Sequence, residues 1–397
     1  MNIEIRTKSR NTFPTRRILA AIIVVVASLF VTAKAAQAQT TPGTVSKSFD
    51  FRNGALGWQA GFADYPPESD KGGFYQLKSE IRSLPPELNV NGTGLFIQGN
   101  DHSDDLFMFL KRRLDSADGI VAGQTYQITF TIVFASNASG QCIGPGSPGQ
   151  SVHLGAGGSP AEPLALLTTT PAYQNNFPHA RMNVDKEQLN PGGIAMSVVG
   201  NIDNGLPCNL GQPSSYVSLQ RTHQHTSVVN ANARGELWLL IGTDSGCECL
   251  TALYYQRIDV TLVPVAQPPP VLLSYTDARF VDTGHAAALD SVNLLADPMT
   301  VISDHNFSSD HHTRINLFAY NLELRNGEDQ TAITVEAEDA QHQVYQLPIE
   351  AVTEVPNFNW ISQVTVKLTD ELQGRGNVAF RVKLRGLASN QLPISVN

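Results

Sequence analysis

The chain has 397 residues and a net charge of −9, with 27 Lys and Arg against 36 Asp and Glu. That length leaves room for two domains. An acidic chain is repelled by phosphate backbones and anionic lipid surfaces, so nucleic acid is excluded as an expected partner.

Residues 1–38 read as a secretory signal peptide. Arg6, Lys8, Arg10, Arg16 and Arg17 precede the apolar run Ile18 to Val31, and Ala36, Gln37 and Ala38 make an A-x-A cleavage pattern. The run is 14 residues long, short of the roughly 20 that a membrane-spanning helix needs. The expectation is a secreted, periplasmic or cell-surface protein with no membrane insertion after cleavage. The leader holds six of the Lys and Arg and one of the acids, so the remainder carries about −14.

The first domain opens with "FDFRNGALGWQAGFADY". Trp58, Tyr65, Phe74 and Tyr75 lie in loop-like sequence there, where an aromatic face could stack on sugar C–H groups. Trp58 and Tyr65 are taken as ligand candidates, together with His102, whose imidazole could hydrogen-bond a hydroxyl. Trp58 also follows an apolar strand, so a place in the core is the alternative.

The next feature is "QGNDHSDDLFMF". Asp101, Asp104 and Asp105, joined by Asp244 from a later "GTDSG" run, offer the hard oxygens that a structural calcium takes, about six to eight in all. The spacing is not that of an EF-hand. Neutralisation by Lys111, Arg112 and Arg113, or by arginines elsewhere, is the competing reading, as is plain solvation of a turn. Leu106 to Phe109 then place apolar side chains on both faces of a strand, which predicts cover on both sides.

"QTYQITFTIVF" alternates with period two, setting Tyr126, Ile128, Phe130, Ile132 and Phe134 on one face. Ser136 to about Gln188 is the least strand-like region, with one possible strand at "SVHLGAG". Such loop-rich insertions are common places for binding, and equally common as plain surface excursions. Cys142 and Cys208 sit in Gly/Pro/Asn-rich sequence and are the preferred disulfide of an exported chain. Cys247 and Cys249 would close a tight ring, so they are expected to be free or exchanged with the others.

His223 and His225 would point one way on a strand, and His305, His311 and His312 gather near Asp304 and Asp310. Imidazole and carboxylate suit transition metals, but neither group has a fixed partner. "ELWLLIG" and "YYQRIDVTLV" read as strands. The segment from Pro264 to Pro270 then divides the chain, because consecutive prolines favour an extended spacer. Beyond it Val335 with Ala337, Val364 with Val366 and Leu368, and Phe380 with Val382 and Leu384 alternate as strands. Helical periodicity is hard to find after the leader, and the fold class is all-β.

The triplets Asp244-Ser-Gly246 and Asp282-Thr-Gly284 imitate aspartic proteases. That mechanism needs two such loops facing one another, and these fall on opposite sides of the proline segment. No G-x-S-x-G elbow, H-E-x-x-H, P-loop or dinucleotide fingerprint occurs.

The opening "FDFRNGALGWQAGFADY", the "VAGQTYQITFTIVFA" strand and the closing "LYYQRIDVTLV" resemble jelly-roll modules of the carbohydrate-binding and galactose-binding-like type. Residues 48–264 as a whole, with "GNDHSDDLFMFLKR" and "LWLLIGTDSG", are similar to a family of exported bacterial proteins that brings no activity with it. Residues 271–397, through "TRINLFAYNLEL" and "NVAFRVKLRGLASNQLPISV", resemble a TIG-type immunoglobulin-like module, a unit that serves as spacer or adhesive.

The resulting expectation is a signal peptide (1–38), a jelly-roll β-sandwich (45–264), a proline-rich linker (265–270) and an immunoglobulin-like β-sandwich (271–397). The expected role is non-catalytic binding of a polysaccharide or other cell-surface component. A glycan-active hydrolase or lyase, and a structural or adhesive protein, are the alternatives.

Overall fold

"QTYQITFTIVF" becomes the centre of a seven-stranded antiparallel sheet in a computed structural model of the chain. The structure describes residues 43–102, 105–143, 146–168, 178–187, 192–209, 214–276, 282–325 and 327–397. The expected signal peptide and Asp104 lie outside the described residues.

In that sheet β6 (Thr125–Ser136) pairs with β14 (Leu250–Val265) on one side and β11 (Val217–Gln224) on the other. β14 also pairs with β1 (Val45–Asp50) and β4 (Thr93–Asn100), β3 (Lys78–Ser83) extends beyond β4, and β12 (Val229–Asn230) pairs with β6. The five-stranded sheet runs β10 (Met196–Asn201), β7 (Val152–Ser159), β13 (Leu237–Ser245), β5 (Phe107–Leu114) and β2 (Gln59–Ala63). β8 (Ala165–Thr168) and β9 (His179–Met182) form a separate hairpin.

The alternation in β6 has the predicted consequence. Tyr126, Ile128, Phe130, Ile132 and Phe134 are fully buried and share one core with Leu110, Leu239 and Ile241 of the five-stranded sheet. Each such side chain contributes roughly 1.5–3 kcal/mol by leaving water.

β5 is covered on both sides, as its composition predicts. Leu106, Met108 and Leu110 enter the main core. Phe107 and Phe109 face the other way, into a second layer with Ala63, Val184, Ala195, Met196 and Leu240, against which Trp360 packs. The loop-rich excursion supplies much of that cover.

β7 is the possible strand "SVHLGAG" of that excursion, and it is an interior strand of the five-stranded sheet. Its glycines read as loop chemistry, and their cause is close approach. A Cβ on Gly157 would lie 2.3 Å from Ala195 O and 2.9 Å from His225 Cε1. Only a bare backbone fits there.

From Val271 onward a second sandwich forms. One sheet centres on β19 (Arg314–Tyr320) and β23 (Phe358–Lys367), with β22 (Ile349–Val355) beside β23 and both β15 (Val271–Leu272) and β18 (Ala288–Asp290) beside β19. The other centres on β20 (Ile333–Glu338) and β24 (Gly376–Leu384), flanked by β21 (Val344–Leu347), β25 (Leu387–Ala388) and β26 (Leu392–Val396). β16 (Ser274–Thr276) and β17 (Asp282–Ala286) pair separately. Val335, Ala337, Val364, Val366, Leu368, Phe380, Val382 and Leu384 all enter one core, as their alternation predicts. The chain is all-β, two β-sandwiches in succession.

Pro42–Asn397 form one compact unit, and specific bonds join the sandwiches. Trp360 Nε1 donates to Asn183 O at 2.7 Å, and Asn183 Nδ2 donates to Asn357 O at 2.8 Å. Gln267, within the proline-rich segment, donates to Asn321 O and accepts from Arg385.

Cys142 and Cys208 form the expected disulfide, tying the loop after β6 to the loop after β10. Cys247 and Cys249 are also joined, which corrects the expectation of free or exchanged thiols. Their Cα atoms stand 5.3 Å apart, the same separation as in the other pair and within the ordinary range for a disulfide.

Candidate functional site: a charged and aromatic rim

Three neighbouring strands deliver three carboxylates to one end of the five-stranded sheet. Phe107 of β5 pairs with Ala63 of β2 on one side and Asp244 of β13 on the other. Asp64 follows Ala63, and Asp105 stands two residues before Phe107, so register alone gathers Asp64, Asp105 and Asp244. Each can offer an oxygen within 4.8 Å of the others, and all three are buried. Asp64 holds the left-handed conformation, φ 60°, which Asp tolerates better than most residues.

Three buried like charges would be costly alone. Two cations from the excursion lie between them. Arg181 Nη1 is 2.9 Å from Asp64 Oδ1 and 2.8 Å from Asp105 Oδ2. Lys186 Nζ is 2.8 Å from Asp64 Oδ2 and 3.0 Å from Asp244 Oδ2. The charges therefore alternate in the order Asp105, Arg181, Asp64, Lys186, Asp244. Burial pushes the Lys186 ammonium down, but the charges and hydrogen bonds of Asp64 and Asp244 outweigh it and hold the pKa above its ordinary value.

Of the expected calcium ligands, Asp105 and Asp244 meet in this group and Asp101 does not belong to it. Asp101 is buried, with its N–H bonded to Cys249 O. Two of the basic residues just after the loop pair with other acids. Lys111 pairs with Glu162, and Arg113 with Asp115 and Glu236. Asp64, Arg181 and Lys186 were not legible as partners, because strand register and a distant excursion bring them in.

An aromatic cluster adjoins this group in sequence. Phe74 is 51% exposed and stacks on His102, with ring centroids 3.8 Å apart and planes at 24°. Tyr75 is buried and meets His102 edge-on, and Tyr65 packs against Tyr75. His102 Nε2 lies 3.1 Å from Phe74 O, which anchors the imidazole to the loop it supports. The exposed ring is thus Phe74, with Tyr65 and His102 half-buried around it.

Trp58 is corrected as a ligand candidate. It is 3% exposed in the main core, edge-on to Phe49 at 5.6 Å. An enclosed indole offers no face to a sugar.

The histidine groups resolve into structural bonds. His223 Nε2 and His225 Nδ1 both approach Ser197 Oγ, at 2.7 and 2.8 Å. Ser197 belongs to β10 and His223 to β11, so the contact joins the edges of the two sheets. His225 Nε2 lies 2.9 Å from Ile194 O, which makes Nε2 the donor and leaves Nδ1 to accept from Ser197. Burial lowers both imidazoles, His225 to about 4. Near the second group, Asp310 is held by Arg314 and Lys367, and His312 Nε2 lies 3.0 Å from Asp370. Among the described residues, neither histidine set forms a metal-ligand group. Asp244 and Asp282 stand in different sandwiches, Asp244 buried in its ion group and Asp282 exposed at the start of β17.

No family model matches the sequence, and no curated protein matches it. The TIG-type resemblance thus finds no counterpart there. Solved structures with partial likeness include an arabinose-bound α-L-arabinofuranosidase, 13% identical over 57% of this chain and 25% of that one, with a TM-score of 0.23. Another is a carbohydrate-binding module, CBM28, specific for non-crystalline cellulose, 11% identical over 57% of this chain and 94% of that one, with a TM-score of 0.21. The chain spans about a quarter of the length of the arabinofuranosidase.

Proposed function

We propose that the protein is an exported, non-catalytic binder of polysaccharide at or outside the cell surface, and that the Phe74 face is its contact. The observation that carries this is an exposed phenylalanine ring held flat on His102 and backed by Tyr75. A rigid ring already fixed at the surface loses little conformational freedom when it stacks on a sugar.

Glycan hydrolysis ordinarily needs a carboxylic acid to protonate the leaving oxygen and a second carboxylate as nucleophile or as base toward water, both open to the substrate. The carboxylates of this rim are buried and paired with Arg181 and Lys186. That arrangement favours binding over turnover.

Affinity electrophoresis of the full chain through gels containing hydroxyethylcellulose, galactomannan or alginate tests the proposal. We expect retardation by at least one polymer, weakened in Phe74→Ala, with no reducing ends released on incubation. Unretarded migration in all three gels, or release of product, overturns it.

A further inference from the structure

Where the two sandwiches meet, a cleft encloses about 310 Å³, within the size range of small-molecule sites. We propose that this cleft is a second sugar-binding site, built jointly by both sandwiches and selective for a neutral polysaccharide segment. The inference rests on the polysaccharide-binding role proposed above.

The first wall follows from strand alternation. Leu237 and Leu239 of β13 enter the main core, so Trp238 between them points to the outer face, where it is only partly buried. Lys111 Nζ stands 5.5 Å from its ring centroid. A partly exposed indole on the outer sheet face is a large stacking surface with a polar edge.

The second wall is the tip of the β22–β23 hairpin, which contributes Glu354, Asn357 and Asn359. Asn359 Nδ2 donates to Glu354 Oε2 at 2.7 Å, which orients the amide. Asn183 fixes the distance between the walls, donating to Glu162 O at 3.0 Å and Asn357 O at 2.8 Å. The cleft is thus held by direct bonds rather than by the proline segment.

Charge selects the ligand class. The lining holds Arg113 and Arg234 against Glu162, Glu236 and Glu354. Glu236 takes both arginines, and Lys111 takes Glu162. The lining thus carries two positive and three negative charges, a net −1, and both arginines share Glu236, so an anionic sugar is disfavoured. Amides, which both donate and accept, suit hydroxyl groups. The gap beside it, around Glu323 and Trp360, encloses only about 30 Å³, room for little more than a water.

The test uses the full chain in the same three gels, with Trp238→Ala, Asn359→Ala and Phe74→Ala compared at equal melting temperature. Asn359 is exposed, so its variant keeps the experiment valid where Trp238→Ala fails to fold. We expect Asn359→Ala and Trp238→Ala to weaken binding to a neutral polymer about tenfold or more, with no gain on alginate. Undiminished binding by both, with loss in Phe74→Ala, overturns the cleft and leaves the rim proposal standing. Stronger retardation by alginate that depends on Trp238 overturns the neutral preference. Wild-type protein retarded by none of the polymers overturns both proposals.

Discussion

Lys186 bridges Asp64 and Asp244, its Nζ within 3.0 Å of both carboxylates and 4.6 Å from the centre of the Phe107 ring. The Lys186 side chain is 6% exposed, and its ammonium is a charge that makes the end of three strands tolerable. Removing one partner of such a buried pair leaves charge uncompensated. Lys186→Met is expected to lower stability by about 3–5 kcal/mol, with part recovered when Asp244→Asn is added. Urea unfolding of the two variants measures this, and a Lys186→Met loss below about 1 kcal/mol would contradict the network's role. The pKa of Lys186 is raised on folding, so its contribution is complete below the unfolded value of about 10.4 and is lost as pH climbs through the folded value.

The same network sets an expectation for calcium. Arg181 and Lys186 already pair with the acids that a Ca²⁺ would use, so the melting temperature of the wild type is expected to be unchanged by EDTA. In Lys186→Met the vacated carboxylates become available, and added Ca²⁺ should raise the melting temperature. A downward EDTA shift in the wild type, absent from Asp105→Asn, would instead support a bound calcium.

His225 gives the fold an acid limit. Burial lowers its pKa to about 4, whereas the unfolded chain titrates near 6.5. The contribution of neutral His225 is complete above about pH 6.5 and diminishes as pH falls toward 4, by at most about 3 kcal/mol. Urea midpoints between pH 7 and 4.5 should fall more steeply for the wild type than for His225→Gln. Parallel slopes would show that the junction at Ser197 does not sense protons.

Much of the architecture was legible because it depends on local alternation. The buried face of β6 and the two-sided cover of β5 follow from side-chain order along one strand. So does the Cys142–Cys208 pairing in part, since both residues sit in loop chemistry. "SVHLGAG" could be read as a possible strand, but the reason for its glycines could not. They mark the close passage of Ala195 and His225, and a chain read alone looks the same whether glycine permits a turn or a tight contact.

The rim was legible only in half. Asp105 and Asp244 could be named as a pair, but Asp64 joins them through register, and Arg181 and Lys186 through an excursion with little pattern of its own. Trp58 shows the converse. Its flanking sequence is turn-like, and only the edge-on packing against Phe49 places it inside.

The bonds that Asn183 donates to Asn357 and accepts from Trp360 bear on how this protein can be cut. Trp360, from the second sandwich, helps roof the Phe107 and Phe109 layer of the first. Severing the chain at its prolines would strip that roof and leave aromatic surface facing water. The fragment would be stickier than its parent, and its affinity for any surface would report the wound as much as the native site. The composition changes at Pro264–Pro270, but the grain of the folded protein does not split there.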